Sequence, residues 1–316
     1  MMSCYNKGGF LRETVPSVLT QSFADFEFVI FDNQSTDDSV AILEGFDDPR
    51  IRLFRNSRNL GPVGSMNNCI EAACGEYMVF FHGDDLWEPD FLQKNVEALD
   101  RCESVNICHS LMHSIDERGA KTFVSPVKGT PPYQVSGHDE VLQKLFKGSY
   151  LQTPTAVYRR KGMRYYDYRY TYVCDWDMYL QFAASGYQFL FINEPLMSYR
   201  ISSGSETSIG VRGGNLIIES YVMLKNFFTA HPDYARWSGK AYKRLSDATL
   251  RRTRSADSRE QALFLMRCAI LSYPLQLINP VFHLYLLLGF FFGQSGLRLL
   301  KRKKRGLPGN EPRLEG

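Results

Sequence analysis

The sequence predicts an α/β fold, in which a doubly wound, mostly parallel sheet is flanked by helices and followed by a helical C-terminal appendage. The first observation is that short apolar runs of strand type alternate with segments of helical spacing over residues 1–100. The second is that the connections between these runs are short, as in parallel βαβ units. The third is that residues 213–270 carry amphipathic helical spacing, which predicts a helical extension over residues 206–272. Together they predict one large α/β domain followed by a helical extension.

The predicted elements of the first hundred residues follow in a regular order. They are a helix at 10–21, a buried strand at 26–31, a helix at 37–46 capped by Ser35 or Thr36, a strand at 51–54, a helix at 64–73 and a buried strand at 76–81. Ligands of doubly wound sheets bind beyond the carboxyl ends of the strands. The polar residues that directly follow the two buried strands are therefore candidates for a functional site.

Residues 101–205 have a looser pattern. A stretch rich in Pro and Gly at 125–137 is followed by short helical and strand-like pieces, the last of them a strand-like run at 189–192. These residues extend the α/β domain, but their spacing alone does not predict how the later strands pair.

The composition is that of an ordinary folded protein. The 316 residues carry a net charge of only +3, so no nucleic-acid partner is expected. Seven cysteines are scattered without CxxC spacing, which favours reduced thiols in the cytoplasm. The chain opens without a basic and apolar signal sequence. These features predict a folded cytoplasmic protein.

A pair of adjacent carboxylates follows the apolar run at 76–81. The local sequence is His82-Gly83-Asp84-Asp85, and it begins where the predicted strand ends. Hard oxygen ligands at such a position suit Mg²⁺ or Mn²⁺ bound to a diphosphate. The alternative is that the two carboxylates merely cap the helix predicted near 89–99.

Two further acidic positions are candidates for chemistry. Asp175 and Asp177 lie one residue apart at the start of a helical run, where a carboxylate can act as a base beside a bound substrate. Asp32 follows the buried strand at 26–31 and can accept a hydrogen bond from a base or a ribose. The alternatives are helix capping for the pair and a strand-to-helix turn for Asp32.

Several local sequences match one family pattern when they are taken in order. They are Tyr5-Asn6, Ser17 to Phe23, Phe26 to Asp38, Asn59-Leu60-Gly61, Gly75-Glu76-Tyr77 and His82 to Asp85. In this order and spacing they resemble the inverting glycosyltransferases of family 2, which have a GT-A fold. The resemblance covers about residues 3–200, and six ordered matches are far more specific than one pair of carboxylates.

The resemblance implies a metal-dependent transfer reaction. A sugar would pass from a nucleotide-diphosphate donor to a hydroxyl of a glycan or lipid-linked acceptor, in the synthesis of a cell-surface polysaccharide or lipopolysaccharide. The domain at 1–205 would comprise a nucleotide-sugar half at 1–100 and an acceptor and catalytic half at 101–205.

The resemblance also implies individual roles. Asp175 is similar to the catalytic base of the family, and Asp177 follows it in the usual place. Asp84 looks like the ligand of Mg²⁺ or Mn²⁺, with Asp85 and His82 as further candidates. The residues implied in binding nucleotide or substrate are Tyr5, Asn6, Asp32, Asn59, Gly61, Asn67, Trp176, Tyr199 and Arg200.

The sequence departs from the family pattern in four places. His82 stands where the first carboxylate of the metal motif is usual, Cys174 where an acid usually precedes the base, and Met66 where some members carry an arginine. The first strand is also shorter than in members of the family, which have several apolar residues before the position of Ser3. Two alternatives therefore stay open: a sugar-nucleotide-binding protein with impaired catalysis, and a nucleotidyltransferase that uses Lys7-Gly8-Gly9 as its phosphate loop.

The C-terminal region has its own character. Residues 273–305 combine an apolar segment with a basic cluster, since six Lys or Arg fall within 298–305. This combination predicts an interfacial or re-entrant helix on an anionic membrane, at the cytoplasmic face of the cell membrane. The alternative is a buried helix followed by a solvated basic tail. Residues 306–316 are expected to be disordered.

Overall fold

The computed structural model describes residues 1–202, 210, 214–253, 256 and 258–287. They form two compact units, which comprise Met1–Leu142 with Ser149–Ser202, and Gln143–Gly148 with the described part of Ser203–Gly316. The boundary predicted at residue 205, the basic cluster at 301–305 and the tail at 306–316 lie outside the described residues.

The first unit alternates strands and helices along the chain. Its described elements are β1 (Met2–Cys4), α1 (Gly8–Leu19), β2 (Phe28–Asp32), α2 (Ser39–Glu44), β3 (Ile51–Arg55), α3 (Gly61–Ala72), β4 (Tyr77–Val79), β5 (Phe81–His82), β6 (Leu86–Trp87), α4 (Phe91–Arg101), β7 (Val105–Ile115), β8 (Lys121–Thr122), β9 (Tyr133–Ser136), α5 (His138–Leu145, at the junction with the second unit), β10 (Val157–Arg159), α6 (Cys174–Ala184) and β11 (Gln188–Arg200). A short 3-10 helix, Thr153–Thr155, precedes β10. The alternation predicted for the first hundred residues is confirmed.

A four-stranded parallel sheet has the order β3-β2-β1-β5. β1 lies between its two neighbours, with Cys4 opposite Asp32 and Ser3 opposite His82. Parallel strands end at one common edge of the sheet. The residues at and just after the ends of β1, β2 and β5 therefore come together at this edge, as the sequence predicts.

A second, mixed sheet has the central order β4-β10-β7-β11-β6, with β8 paired to β7 and β9 paired to β11. β11 runs parallel to β7 and antiparallel to β6. The strand expected at 189–192 is longer than predicted, because its pairing with β7 resumes after register shifts around Pro195 and continues to Arg200. This extension carries Arg200 toward the carboxylates that follow β5.

The strand expected at 76–81 divides between the two sheets. Tyr77–Val79 pairs antiparallel with β10, whereas Phe81–His82 pairs parallel with β1. Phe80, between the two, is buried, and its ring centroid lies 5.1 Å from that of Tyr166. Both sheets require buried apolar side chains, so the apolar run alone does not reveal the change of sheet.

The helix boundaries differ from the prediction, most informatively at the starts of α2 and α3, while α1 is shifted from 10–21 to Gly8–Leu19. Neither Ser35 nor Thr36 caps α2, because Asp38 precedes its first residue and the carboxylate of Asp37 accepts the Ser39 N–H at 3.0 Å. α3 begins at Gly61, three residues earlier than expected, with Pro62 in its first turn. Proline fits there because the first N–H groups of a helix have no partner within the helix.

The second unit is helical in its described part. Its elements are α7 (Asn215–Ala230), α8 (Ser238–Arg252), α9 (Arg259–Ser272), the 3-10 helices Pro232–Trp237 and Pro274–Ile278, and helical residues 280–287. Leu250, Leu265 and Ala269 form its core together with Phe282 and Tyr285. The apolar segment that begins at residue 273 therefore contributes two buried aromatic side chains to this unit.

The same segment also presents an exposed apolar face. Leu275, Leu277, Ile278, Val281, Leu284 and Leu287 are all exposed, and Ile278 reaches 77%. Within the described residues, no helix has both the length and the apolar content needed to cross a membrane.

Candidate functional site

Asp32 lies at the carboxyl end of β2 and is fully buried. Its carboxylate accepts the Gln34 N–H at 3.1 Å and the Ser35 N–H at 3.2 Å, and the Arg55 Nε lies 3.8 Å away. Gln34 has a positive φ of 65°, which the carboxylate stabilises through this tight turn. Asp32 thus fixes the loop that follows β2 at the edge of the sheet where the sequence predicts a ligand site.

Tyr5 and Asn6 follow β1 at the same edge. The side-chain oxygen of Asn6 accepts the Thr36 N–H at 2.8 Å, and the Asn6 N–H donates to Ser35 Oγ at 3.0 Å. Asn6 adopts a φ of 51°, a conformation that asparagine tolerates better than most residues. Tyr5 is 44% exposed, so its ring is accessible to a ligand at this edge.

A network of buried amides, which the sequence did not reveal, holds Asn59 and Gly61. Asn33 donates from Nδ2 to Asn59 Oδ1 at 3.0 Å and accepts from the Leu60 N–H and from Asn56 Nδ2, both at 2.9 Å. Asn59 Oδ1 also accepts the Gly61 N–H at 2.9 Å. In the sequence, only the position of Asn33 directly after Asp32 indicated that this residue could take part in the site.

Asn67 is buried and bonds to backbone. Its side-chain Nδ2 donates to the Tyr166 carbonyl at 3.0 Å, and its Oδ1 accepts the Tyr166 N–H at 2.8 Å. Both polar groups of the amide are thereby engaged. Asn67 fastens the segment that leads from β10 to α6 onto α3, which places Tyr168 close to Gly64.

A cavity of about 370 Å³ lies at this junction, and its lining residues are Arg58, Asn59, Leu60, Gly64 and Tyr168. A Cβ added to Gly64 would lie 3.6 Å from the Tyr168 ring and 2.7 Å from Leu60 Cβ, so a side chain here would crowd the wall of the cavity. The cavity adjoins the predicted nucleoside residues and adds Arg58 and Tyr168, which the sequence had not suggested.

The turn after β5 carries the predicted metal ligands. Asp84 is 7% exposed, and its Oδ2 lies 2.5 Å from the Lys7 Nζ. Burial alone would lower the pKa of His82, but the carboxylates of Asp85 and Asp84 outweigh burial and the pKa is raised. The His82 side chain keeps 40% of its exposure, so water screens part of this interaction.

Asp85 is almost fully buried. Its Oδ1 accepts the Arg200 N–H at 2.8 Å, while its Oδ2 has no hydrogen bond of acceptable geometry and lies 3.3 Å from His82 Nδ1. Burial raises the pKa of this carboxyl, and the nearby His82 acts in the opposite direction. One buried oxygen of the turn is therefore left with an ion-pair contact only.

Arg200 ties the end of β11 to this turn. Its guanidinium donates to the Asp84 carbonyl at 2.6 Å, the Asp116 carbonyl at 3.1 Å and Glu13 Oε2 at 2.8 Å. The same group lies 4.8 Å above the centre of the Phe10 ring. Arg200 is only 3% exposed, so its contacts are with the protein and it positions the backbone of the carboxylate turn.

The residues of this turn fit a divalent cation that takes most of its ligands from phosphate and water. Within the part of the chain that the structure describes, no three His, Cys, Asp or Glu side chains group closely enough to enclose a metal on their own. Mg²⁺ is commonly bound by one or two carboxylates together with substrate phosphates and water. The Asp84 carboxylate and the unbonded Asp85 Oδ2 offer that kind of donor set.

Asp175 lies at the start of α6. Its Oδ2 accepts the Thr153 hydroxyl at 3.2 Å, and its Oδ1 accepts the Trp176 N–H at 2.7 Å. Burial raises the pKa of Asp175, while His82 is close enough to lower it in part. Thr153 belongs to the 3-10 helix that contacts β5, so the predicted base lies near the strand that precedes the predicted metal turn.

Asp177, two residues further along α6, has different surroundings. The pKa of Asp177 is raised to about 6, mainly by burial and in smaller part by Asp167, while Gln181 and Arg169 act in the opposite direction. Gln181 Nε2 donates weakly to Asp177 Oδ1 at 3.4 Å. Trp176, between the two aspartates, is buried, and Tyr199 packs against the main core of the first unit.

Comparison with solved structures identifies the fold. Staphylococcus aureus TarS residues 1–349, in complex with UDP-GlcNAc, are similar with a TM-score of 0.66 over 95% of this chain and 90% of that chain, at 16% sequence identity. The complex of the same protein with UDP gives a TM-score of 0.55 over 86% of this chain and 88% of that chain, at 17% identity. The predicted GT-A-type fold is confirmed, with its parallel sheet, its mixed sheet and its C-terminal helices.

The sequence matches show that the protein is a glycosyltransferase. The chain belongs to glycosyl transferase family 2, whose model matches residues 1–175. The amylovoran biosynthesis glycosyltransferase AmsB of Erwinia amylovora is 28% identical over 64% of this chain and 68% of its own length. The putative glycosyltransferase EpsE of Bacillus subtilis is 28% identical over 64% of this chain and 72% of its own length.

Proposed function

We propose that the protein is an inverting glycosyltransferase that uses a nucleotide-diphosphate sugar to extend a cell-surface polysaccharide or lipopolysaccharide. Similarity to a protein of amylovoran biosynthesis supports the polysaccharide product. The TarS complexes contain UDP and UDP-GlcNAc, which supports a uridine diphosphate sugar as the first donor to test. Family membership removes the nucleotidyltransferase alternative, and Lys7-Gly8-Gly9 contributes to the beginning of α1.

The observation that supports the proposal is the bond between Asp175 and the Thr153 hydroxyl, because the 3-10 helix of Thr153 contacts β5, the strand that precedes the carboxylate turn. A partly buried carboxylate with a raised pKa is a better proton acceptor than an exposed one. Asp175 would accept the proton of the acceptor hydroxyl while that oxygen attacks the anomeric carbon. The attack comes from the face opposite the departing diphosphate, so the configuration inverts.

The donor would bind along the edge of the parallel sheet. Tyr5, Asn59 and the cavity wall formed by Arg58 and Tyr168 would contact the nucleoside. Asp84, with Asp85 and His82 beside it, would hold Mg²⁺ or Mn²⁺, which supplies Lewis-acid stabilisation of the diphosphate leaving group. Arg200 would keep the backbone of this turn in place through its bond to the Asp84 carbonyl.

A panel of nucleotide sugars tests the proposal. Purified protein is incubated with UDP-, dTDP- and GDP-sugars, each with Mn²⁺ or with a chelator, and the release of nucleoside diphosphate is measured. We expect slow Mn²⁺-dependent release from a single nucleotide class. If nucleotide binds but no sugar is released in the presence of glycan and lipid-linked acceptors, the protein is the second candidate, a sugar-nucleotide-binding protein with impaired catalysis. The replacement of an acid by His82 is the observation that favours it.

We further propose that the protein works at the inner face of the cell membrane as a peripheral enzyme. The exposed apolar face between Leu275 and Leu287 supports this location, as does the basic cluster that follows it in the sequence. Apolar burial and attraction to anionic lipid act together in such segments.

A further inference from the structure

We propose that Lys7 is a displaceable counter-cation of Asp84. Its ammonium leaves this carboxylate when the divalent cation of the donor binds there, and it then contacts the donor diphosphate. The inference rests on the proposed function and assigns to Lys7 a role in donor binding. It starts from the ion pair at the turn that follows β5.

The ion pair is close and largely shielded from water. Lys7 Nζ lies 2.5 Å from Asp84 Oδ2, and the two side chains are 28% and 10% exposed. Burying a charged carboxylate to this extent is costly unless a cation or hydrogen-bond donors lie near it. The ammonium supplies that charge at the oxygen which a metal ion would require.

The backbone of Lys7 is fixed, whereas its side chain can move. Its N–H donates to Ser39 Oγ at 2.9 Å, and its carbonyl accepts the Phe10 N–H at 2.8 Å as the first bond of α1. The lysine stem has four rotatable bonds and ends in a point charge with three donors. The ammonium can therefore leave Asp84 without any change in the sheet.

Gly83 makes room for the lysine stem. A Cβ at position 83 would lie 3.0 Å from Lys7 Cγ and 3.1 Å from Lys7 Cβ, which is closer than almost all real contacts of this kind. The stem thus lies across the turn between His82 and Asp84. This arrangement keeps the ammonium over the turn in the protein without ligand.

Electrostatics set the exchange. An ammonium and a divalent cation at one carboxylate oxygen repel each other strongly in a partly buried site. The donor brings a diphosphate with several negative charges, so the released ammonium gains a new anionic partner at the same edge of the sheet. Lys7 therefore opposes binding of the metal alone and favours binding of the metal together with the donor.

The test compares Mn²⁺ and UDP affinities by calorimetry in the wild type, Lys7→Met and Lys7→Arg. Lys94→Met is the matched control, because Lys94 Nζ lies 2.6 Å from Glu194 Oε1 and is 30% exposed. For Lys7→Met we expect Mn²⁺ alone to bind at least about fivefold more tightly, and UDP with Mn²⁺ to bind about fivefold more weakly. Mn²⁺ should also raise the melting temperature of Lys7→Met more than that of the wild type. Lys7→Arg should resemble the wild type.

The outcomes separate this inference from the proposed function. If Lys7→Met binds Mn²⁺ as weakly as the wild type or more weakly, the role of Lys7 is overturned while the enzyme assignment stands. If the wild type binds UDP but neither protein binds Mn²⁺, both the displacement and the metal dependence are wrong. If the wild type binds no nucleoside diphosphate, the proposed function fails, and the inference fails with it.

Discussion

Two aspartates at the start of α6 differ in their surroundings although they are two positions apart. Asp175 bonds to the Thr153 hydroxyl and lies within electrostatic reach of His82. Asp177 instead lies within reach of Asp167 and Arg169. Helix geometry explains the difference, because positions i and i+2 point to different faces. Substitution of each residue should therefore have a different effect.

Asp175→Asn keeps the shape of the side chain but removes its capacity to accept a proton at neutral pH. We expect turnover to fall by about 10²–10⁴-fold while UDP affinity stays near the wild-type value. Asp177→Asn serves as the matched control and should lower turnover far less. Initial rates at saturating donor, together with calorimetry of UDP, measure both effects. If the two variants exchange these effects, the base is Asp177.

The raised pKa of Asp177 predicts a pH dependence of stability. Its value of about 6 exceeds the unfolded value of 3.8, so the folded state binds a proton more tightly than the unfolded chain. This contribution is fully present below about pH 4 and is lost as the pH rises through about 6. Asp177→Asn should therefore raise stability at pH 7.5 by about 1–2 kcal/mol and have little effect near pH 4.

Thermal unfolding of the variant from pH 4 to pH 8 measures this dependence. Asp48→Asn is the control of opposite sign, because hydrogen bonds from Arg50 lower the pKa of Asp48 to about 2. The melting temperature of that variant should be lower than that of the wild type at pH 7.5. A melting temperature of Asp177→Asn below that of the wild type at pH 7.5 would contradict the assignment of a buried, destabilised carboxylate.

At the scale of elements, the segment between β10 and α6 is held in position partly by the side-chain amide of Asn67. Asn67 bonds to both backbone groups of Tyr166, and this segment carries Tyr168 to the wall of the cavity. The segment has no regular structure between residues 163 and 168. Its position therefore rests on this contact and on the burial of Tyr166 and Tyr170.

Asn67→Ala should weaken donor binding through this segment. We expect the KM for the donor to rise about tenfold, and the stability to fall by about 1–3 kcal/mol because the Tyr166 backbone groups lose their partners. Asn95→Ala is the matched control, since Asn95 is equally buried and donates to the Phe91 carbonyl at 2.8 Å within α4. The control should lose stability but keep its donor KM. Equal KM changes in the two variants would refute a positioning role.

At the scale of the whole molecule, the sequence predicted the parallel sheet better than the mixed one. β2 is a near-continuous apolar run, which is typical of buried parallel strands. The mixed sheet depends on distant pairings such as β11 with β7, and no local pattern specifies them. For the site, the positions of Asp32, Asp84 and Asp175 at element ends were predictable.

The contacts of the site residues were not predictable, because they depend on tertiary neighbours. The two bonds from Asn67 to Tyr166 join positions 99 residues apart, and Arg200 reaches the Asp84 carbonyl across 116 residues. Sequence spacing places a residue on an element, but it does not show which distant backbone group its side chain meets.

The exposed apolar face of the second unit predicts that exposed side chains, and not buried ones, determine membrane binding. Ile278→Ser and Leu284→Ser alter exposed side chains, so we expect weaker sedimentation with anionic vesicles and an unchanged melting temperature. Phe282→Ser alters a buried side chain and should lower the melting temperature. Removing all residues after Ser272 is a poor test, because Phe282 and Tyr285 would leave the core.

Salt dependence separates the modes of membrane association. Electrostatic attraction is screened over about 10 Å at 0.1 M salt and about 3 Å at 1 M, whereas apolar burial is not weakened in this way. We expect 1 M salt to release the protein only in part, and neutral replacement of Lys301 to Arg305 to increase the release. Recovery of the intact chain in the soluble fraction at low salt would refute the peripheral location.

The change of sheet at Phe80 determines where the protein could be split into two fragments. Tyr77–Val79 completes one sheet and Phe81–His82 the other, while β6 pairs with β11 from the far end of the unit. A fragment that ends near residue 100 would expose strand edges whose partners lie in the remainder. Two co-expressed fragments cut between Phe123 and Val127, where the side chains are exposed, should therefore reassemble, because β6 and β7 of the first fragment pair with β10 and β11 of the second.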